Sequence, residues 1–360
     1  MKNKVTALEL AFILFTINIA GKVHALPSIL SGFADESLCV IALINYAIDF
    51  VLLIIVLSIL NKIRGRSFYD VLIEKFGKVT GKVIVFILVA FLIAKSFIPF
   101  IEQKNSIELT FYETQPTNFT FLPVFIIVFY FALKGLWSFS KSVAIIFWGL
   151  IIGSTIILLL SLSAVDFERL LPFFAKPFYE IANGSIKTLI WFGDPLYLLF
   201  FSKHVDKSEK LNGKIITSYA ISAVVYLVGL VFFYAVFENI AVRQYFAPLK
   251  MSKYSVTLSN IGRFDYIGTL LIVTANVYSL ALPIIVASNL VENLFKFKSK
   301  YVAPLIVTGA CFILTLITSH GFFAHLNFMQ TYGVWFLIII TYGLPIILWT
   351  LIRRNKNERI

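Results

Sequence analysis

Long apolar runs separated by short polar turns fill this chain, and nothing constrains its fold more. A membrane-spanning helix needs roughly 20 mostly apolar residues. Runs of that kind lie near residues 6–31, 37–61, 79–102, 119–135, 142–164, 185–203, 212–237, 263–293, 302–318 and 331–352. Their apolar residues are continuous rather than alternating with period two, so they predict helices and exclude a barrel. A hydrophobic fraction of 59%, a charged fraction of 14% and a mean hydropathy of +0.89 do not suit the surface of a soluble domain. The expected fold class is an all-α membrane protein of about ten transmembrane helices, one domain over 1–360, with the lipid bilayer as its solvent. The first run follows Lys2 and Lys4 and continues past any plausible cleavage pattern, so it reads as a first helix rather than a signal peptide.

The formal net charge of +12 raises nucleic acid as a partner, and the placement of the charges decides the matter. With the N-terminus in the cytoplasm, 21 of the 31 Lys and Arg residues fall on the inner side and seven on the outer. That asymmetry is the positive-inside pattern of a multi-pass protein with both termini cytoplasmic. No nucleic-acid motif accompanies it. Two outer loops, 165–184 and 238–262, are long enough to act as lids or partner contacts. Cys39 and Cys311 are too few for a disulfide framework or a metal cluster and read as core residues.

Two of the runs are interrupted. The first contains Asn18-Ile19-Ala20-Gly21-Lys22-Val23-His24-Ala25-Leu26-Pro27, and the sixth contains Trp191-Phe192-Gly193-Asp194-Pro195. Proline removes a backbone donor and clashes with the preceding turn, and glycine lowers helix stability, so both helices are expected to break. Breaks in the first and sixth of ten helices match a five-plus-five inverted repeat, with repeat one near 6–164 and repeat two near 185–352. Paired interruptions of this kind point to a midplane ligand site, where freed backbone groups and half-helix dipoles face a cavity. Two ordinary proline kinks are the plainer alternative. The candidate ligand-binding residues are Ala20, Gly21 and Lys22 on one break, Phe192, Gly193 and Asp194 on the other, and Asn276 in the eighth run.

Ionisable residues inside spans are costly unless they pair or face water. Lys22, Asp49, Lys95 and Asp194 each sit several residues from a span end. Asp49 shares a helix face with Asn45, and Lys95 shares one with Glu102, so polar stripes are expected to converge on the breaks. Asp49 or Asp194 is expected to neutralise Lys22, with Asp49 and Lys95 as coupling or ion-pair residues. Arg263 and Asp265 form a candidate outer gate, with a solvated helix start as the bland reading. His24, His204, His320 and His325 have no metal-ligand spacing. No phosphate loop and no nucleophile–base set is present, so neither an enzyme, a metal nor a cofactor is expected.

Four stretches together resemble the spore-germination permease family, the B-type subunit of nutrient receptors, within the amino-acid/polyamine/organocation transporter superfamily. They are Thr16 to Pro27; Asp166 to Pro172 followed by Ile181-Ala182-Asn183; Trp191 to Pro195 with Leu198 to Phe201; and Gly262-Arg263-Phe264-Asp265. The resemblance covers about residues 6–354. It implies a LeuT-like fold in the inner membrane of the spore. It also implies a small, amino-acid-like germinant as ligand, and an A-type channel subunit and a C-type lipoprotein as partners. Where the family usually has a small or apolar residue, this chain has Lys22. A proton-coupled amino-acid or amine symporter of the same fold is the alternative function.

Overall fold

Each interruption in the apolar pattern becomes an interruption in a helix. The computed structural model describes residues 4–111, 121–172, 176–205, 210–253, 265–318 and 321–357. The first run is two helices, α1 (Ala7–Ala20) and α2 (Leu26–Ala34), separated by residues 21–25. A capping box starts α1: the Glu9 backbone N–H donates to the Thr6 hydroxyl (3.3 Å), and the Thr6 N–H donates to the Glu9 carboxylate (2.9 Å). Pro27 sits in the first turn of α2, where a missing N–H costs no helical bond.

The chain continues through α3 (Leu38–Ile63), α4 (Phe68–Phe76), α5 (Lys78–Phe111) and α6 (Leu122–Ser161). Next come α7 (Phe178–Thr188) and, past a second break, a 3₁₀ helix over Asp194–Phe201. Then follow α8 (Asn212–Phe237), α9 (Ala247–Lys253), α10 (Asp265–Phe295) and α11 (Val302–Thr318). The last run is α12 (Phe322–Phe328), α13 (Val334–Ile338) and α14 (Leu344–Asn357), joined by π turns at Met329–Gly333 and Ile339–Gly343.

Among the described residues six helical stretches are long and apolar enough to cross a membrane on length and composition alone. Ten passes follow once the broken and short helices are counted, because α6 is two passes. At 40 residues it would measure about 60 Å if straight, twice the hydrocarbon thickness. Gly135 instead adopts φ 75°, ψ 178°, a left-handed conformation that glycine enters without penalty. The chain doubles back there: Phe131 and Phe139 lie 5.8 Å apart and both pack on Tyr278, at 4.9 and 5.7 Å.

Several expected boundaries shift. Residues 136–141, read as a turn between two spans, belong to the second half of α6, because one glycine suffices for the reversal. The expected outer loop 165–184 is helical from Phe178, and α5 extends nine residues past its expected end at 102. Polar residues in these extensions hid the helices. In α5 they are Glu102, Gln103 and Lys104, all buried and all paired within the protein.

The core lies around α1, α10 and the Asp194–Phe201 helix, whose residues are buried nearly throughout. The apolar stretch of α10 is mostly buried, whereas α6 and the last run present their apolar faces outward. At one end of the bundle the N-terminal arm is tied to the segment after the 3₁₀ helix. The Val5 N–H donates to the His204 carbonyl (2.9 Å), and the Gly65 N–H donates to the Ser202 carbonyl (2.8 Å).

Candidate functional site

The two breaks face one another at the centre of the bundle, and a lysine from the first meets an aspartate from the second. Lys22 leaves the end of α1 fully buried, and its ammonium donates to the Asn18 amide oxygen (2.8 Å) and to the Asp194 carboxylate. Its third side faces the Phe192 ring, 4.9 Å from the centroid. Asn18 is oriented for this by donating its own amide to Ser222 Oγ (2.6 Å) on α8.

The second break depends on Gly193, whose φ of 91° lies where side chains are rarely tolerated. A Cβ there would lie 2.2 Å from Thr341 Cγ2. The break frees backbone groups that the core must satisfy. Gly193 N–H donates to Asp49 Oδ1 (2.8 Å), and the Lys95 ammonium donates to the Phe192 carbonyl. Lys95 Nζ also stands 3.9 Å from Asp194 Oδ1. Asp49 Oδ1 accepts a second bond from the Tyr342 hydroxyl (3.2 Å), which the π turn Ile339–Gly343 aims into the bundle. One carboxylate, Asp194, therefore faces two ammoniums, while the other braces the backbone of the break.

The first break is satisfied in the same manner. Tyr226 donates to the Lys22 carbonyl (3.3 Å), and the His24 carbonyl accepts from Phe246 N–H (3.0 Å) just before α9. The His24 ring contacts Gln103 Oε1 (3.2 Å), which also accepts from Asn276 Nδ2 (2.7 Å). Trp191 Nε1 donates to Glu102 Oε1 (3.1 Å). These contacts tie the breaks to α5 and α10.

A cavity of about 40 Å³ lies between the breaks, lined by Gly21, Lys95, Ser96, Asp194, Ser279 and Tyr197 among others. A larger polar recess of about 510 Å³ opens at the end of the bundle carrying Asp70, Lys203, His204 and Lys296.

Of the residues named from sequence, Gly21, Lys95 and Asp194 line the cavity, Lys22 and Phe192 bond to its lining residues Asp194 and Lys95, and Gly193 and Asp49 bond to each other at the second break. Ala20 is buried at the end of α1. Asn276 reaches the cavity only through Ser279, which donates to its side-chain oxygen (2.6 Å). The geometry selects between the two expected partners of Lys22: Asp194 takes the ammonium and Asp49 forms no ion pair among the described residues. Arg263, like Gly262 before it and His320, lies outside the described residues, and only the backbone of Asp265 is described, at the start of α10. Among the described residues no three His, Cys, Asp or Glu side chains group as a metal site.

Gln103, Trp191 and Tyr342 are site residues that periodicity did not isolate. A signal for Tyr342 does exist, since Thr-Tyr-Gly recurs at 331–333 and 341–343 and each copy ends a π turn. Tyr342→Phe is expected to lower stability by about 1.5–3 kcal/mol, the scale of a hydrogen bond to a charged group. Tyr332→Phe, at the 68%-exposed matching position, is expected to be silent. Thermal unfolding of both purified variants tests this, and equal effects would remove the special role of Tyr342.

Comparison with known proteins adds two findings. A family model described as spore germination protein matches residues 4–324. A manganese transporter of Eremococcus coleocola, solved as a mutant, is similar in fold, with a TM-score of 0.64 at 10% identity. The similarity covers 95% of this chain and 78% of that one. No curated protein sequence matches the chain.

Proposed function

The chain belongs to the spore germination protein family, and from that premise we propose that it is the ligand-binding B-type subunit of a nutrient germinant receptor. It sits in the inner membrane of the spore with both termini in the cytoplasm and binds a small, amino-acid-like germinant between the breaks. It reports occupancy to an A-type channel subunit and a C-type lipoprotein, and it performs no catalysis.

One observation carries this reading. The ligand cavity is walled by a closed network in which Lys22, Asp194, Lys95, Asp49 and Tyr342 link both breaks to α3, α5 and the last run. A molecule entering beside Lys95 and Asp194 must disturb these bonds, and the disturbance reaches both breaks, α3, α5 and the last run without requiring passage of the ligand. That fits a sensor. The second reading, a proton-coupled amino-acid or amine symporter, draws support from the 510 Å³ polar recess and from the fold shared with a transporter. A bound divalent metal, as the name of that transporter states, fits less well here, because Lys22 already places a cation on Asp194.

Reconstitution of the purified chain alone into liposomes separates the two. With radiolabelled L-alanine and an imposed proton gradient, saturable binding without accumulation is the expected result. Accumulation above equilibrium would sink the sensor reading in favour of the symporter.

A further inference from the structure

Resting on the ligand-binding reading above, we infer that the site takes a small organic acid held through its anionic end by Lys95. It does not read a ligand ammonium, because Lys22 already fills the ammonium position. The surroundings of Lys22 Nζ are an amide oxygen, a carboxylate and an aromatic face: Asn18 Oδ1 at 2.8 Å, Asp194, and the Phe192 ring at 4.9 Å. That set recognises a primary ammonium, which has three donors and no acceptor. The cage is preset, with Ser222 holding the Asn18 amide. The chain's own lysine closes it completely, at 0% exposure.

Lys95 is placed in the opposite way. It lines the cavity, and one of its donors goes to the Phe192 carbonyl. Its nearest carboxylate oxygen is Asp194 Oδ1 at 3.9 Å, beyond hydrogen-bond distance, on a group already bonded to Lys22. Asp49 is engaged by Gly193 N–H and the Tyr342 hydroxyl. Two hydroxyls at the cavity wall have spent their protons inside the protein, Ser96 on the Leu92 carbonyl and Ser279 on Asn276, and the third, Tyr197, turns its ring face toward Lys95 Nζ at 5.9 Å. What the cavity presents is an ammonium lacking a full acceptor, and a carboxylate supplies one with a charge-assisted bond. The remaining wall, including Ile17, Ile190 and Leu280, is apolar and suits a short aliphatic body. The volume of about 40 Å³ corresponds to about three waters, which limits the acid to a few carbons.

Three related probes test this on the purified full chain by equilibrium binding: L-alanine with both ends, L-lactate with the acid alone, and ethylamine, alanine without its carboxylate, with the amine alone. The wild type is expected to bind alanine and lactate with similar affinity and ethylamine not at all. Lys95→Met is expected to weaken both acids by about tenfold or more, the scale of a charge-assisted bond. Lys22→Ala removes the ammonium together with its stem and so vacates the cage, and ethylamine is expected to bind that variant and to raise its melting temperature. If that variant does not accumulate, the wild-type selectivity alone decides. A wild-type preference for alanine over lactate of more than about tenfold, one charged contact, means the amine is read and overturns the inference while the receptor reading stands. Binding of a sugar or nucleoside with all three probes silent does the same. No binding of any of these molecules overturns both.

Discussion

Replacing Asp194 by asparagine is expected to destabilise the protein more than removing either lysine that faces it. Lys22 is fully buried and Lys95 nearly so, and Asp194 is the carboxylate that stands closest to both. Removing one partner of a buried ion pair costs about 3–5 kcal/mol, because a charge stays behind without compensation. Asp194→Asn strands two ammoniums at once. Lys22→Met strands only the carboxylate, and Lys95, 3.9 Å away, can move to meet it. The expected order of melting temperatures is therefore wild type, then Lys22→Met, then Asp194→Asn. The double variant Lys22→Met/Asp194→Asn leaves a single lysine unpaired and is expected to recover part of the loss. Such recovery is a coupling between neighbours that independent sites do not show. Thermal unfolding of the four proteins in one detergent measures it, and additive single effects would show that the pair is not coupled.

This pair also marks how far the linear sequence can be read. The bundle, the ten passes and both breaks were legible, because each rests on a local cue: a run length, a proline, a glycine in an apolar stretch. That Lys22 needs a buried partner was legible too, since a lone charge inside a span is costly. Which carboxylate takes it was not. Asp49 and Asp194 are both acidic residues near the middle of a run, and only the left-handed Gly193 settles their roles by turning its N–H toward Asp49 and leaving Asp194 free for the lysine. Gln103 was hidden for a related reason. It follows Glu102 where the apolar run stops, so composition ends the span there, while pairing with His24 and Asn276 lets the helix continue. Tertiary satisfaction of a polar group leaves no trace in periodicity.

Gly193→Ala is expected to produce the largest effect of any single methyl group in the protein. Two independent costs meet at this position. The backbone φ of 91° is left-handed, which penalises any side chain by about 1–2 kcal/mol. The added Cβ would also fall 2.2 Å from Thr341 Cγ2 and 3.3 Å from Lys95 Nζ. Overpacking of this kind typically costs a further 1–3 kcal/mol or so. Relief by rotating the backbone would withdraw the Gly193 N–H from Asp49 and the Phe192 carbonyl from Lys95. The break would thus lose both of its braces together. The two costs separate in a second variant. Thr341→Ser deletes the Cγ2 methyl, so Gly193→Ala/Thr341→Ser is expected to regain the packing part of the loss and to retain the conformational part. Because Asp49 and Lys95 stay in place in that double variant, binding of L-lactate is expected to return with stability. Full recovery by Thr341→Ser would show that the left-handed backbone carries no cost here, and no recovery would show that the clash is not with the π turn of the last run.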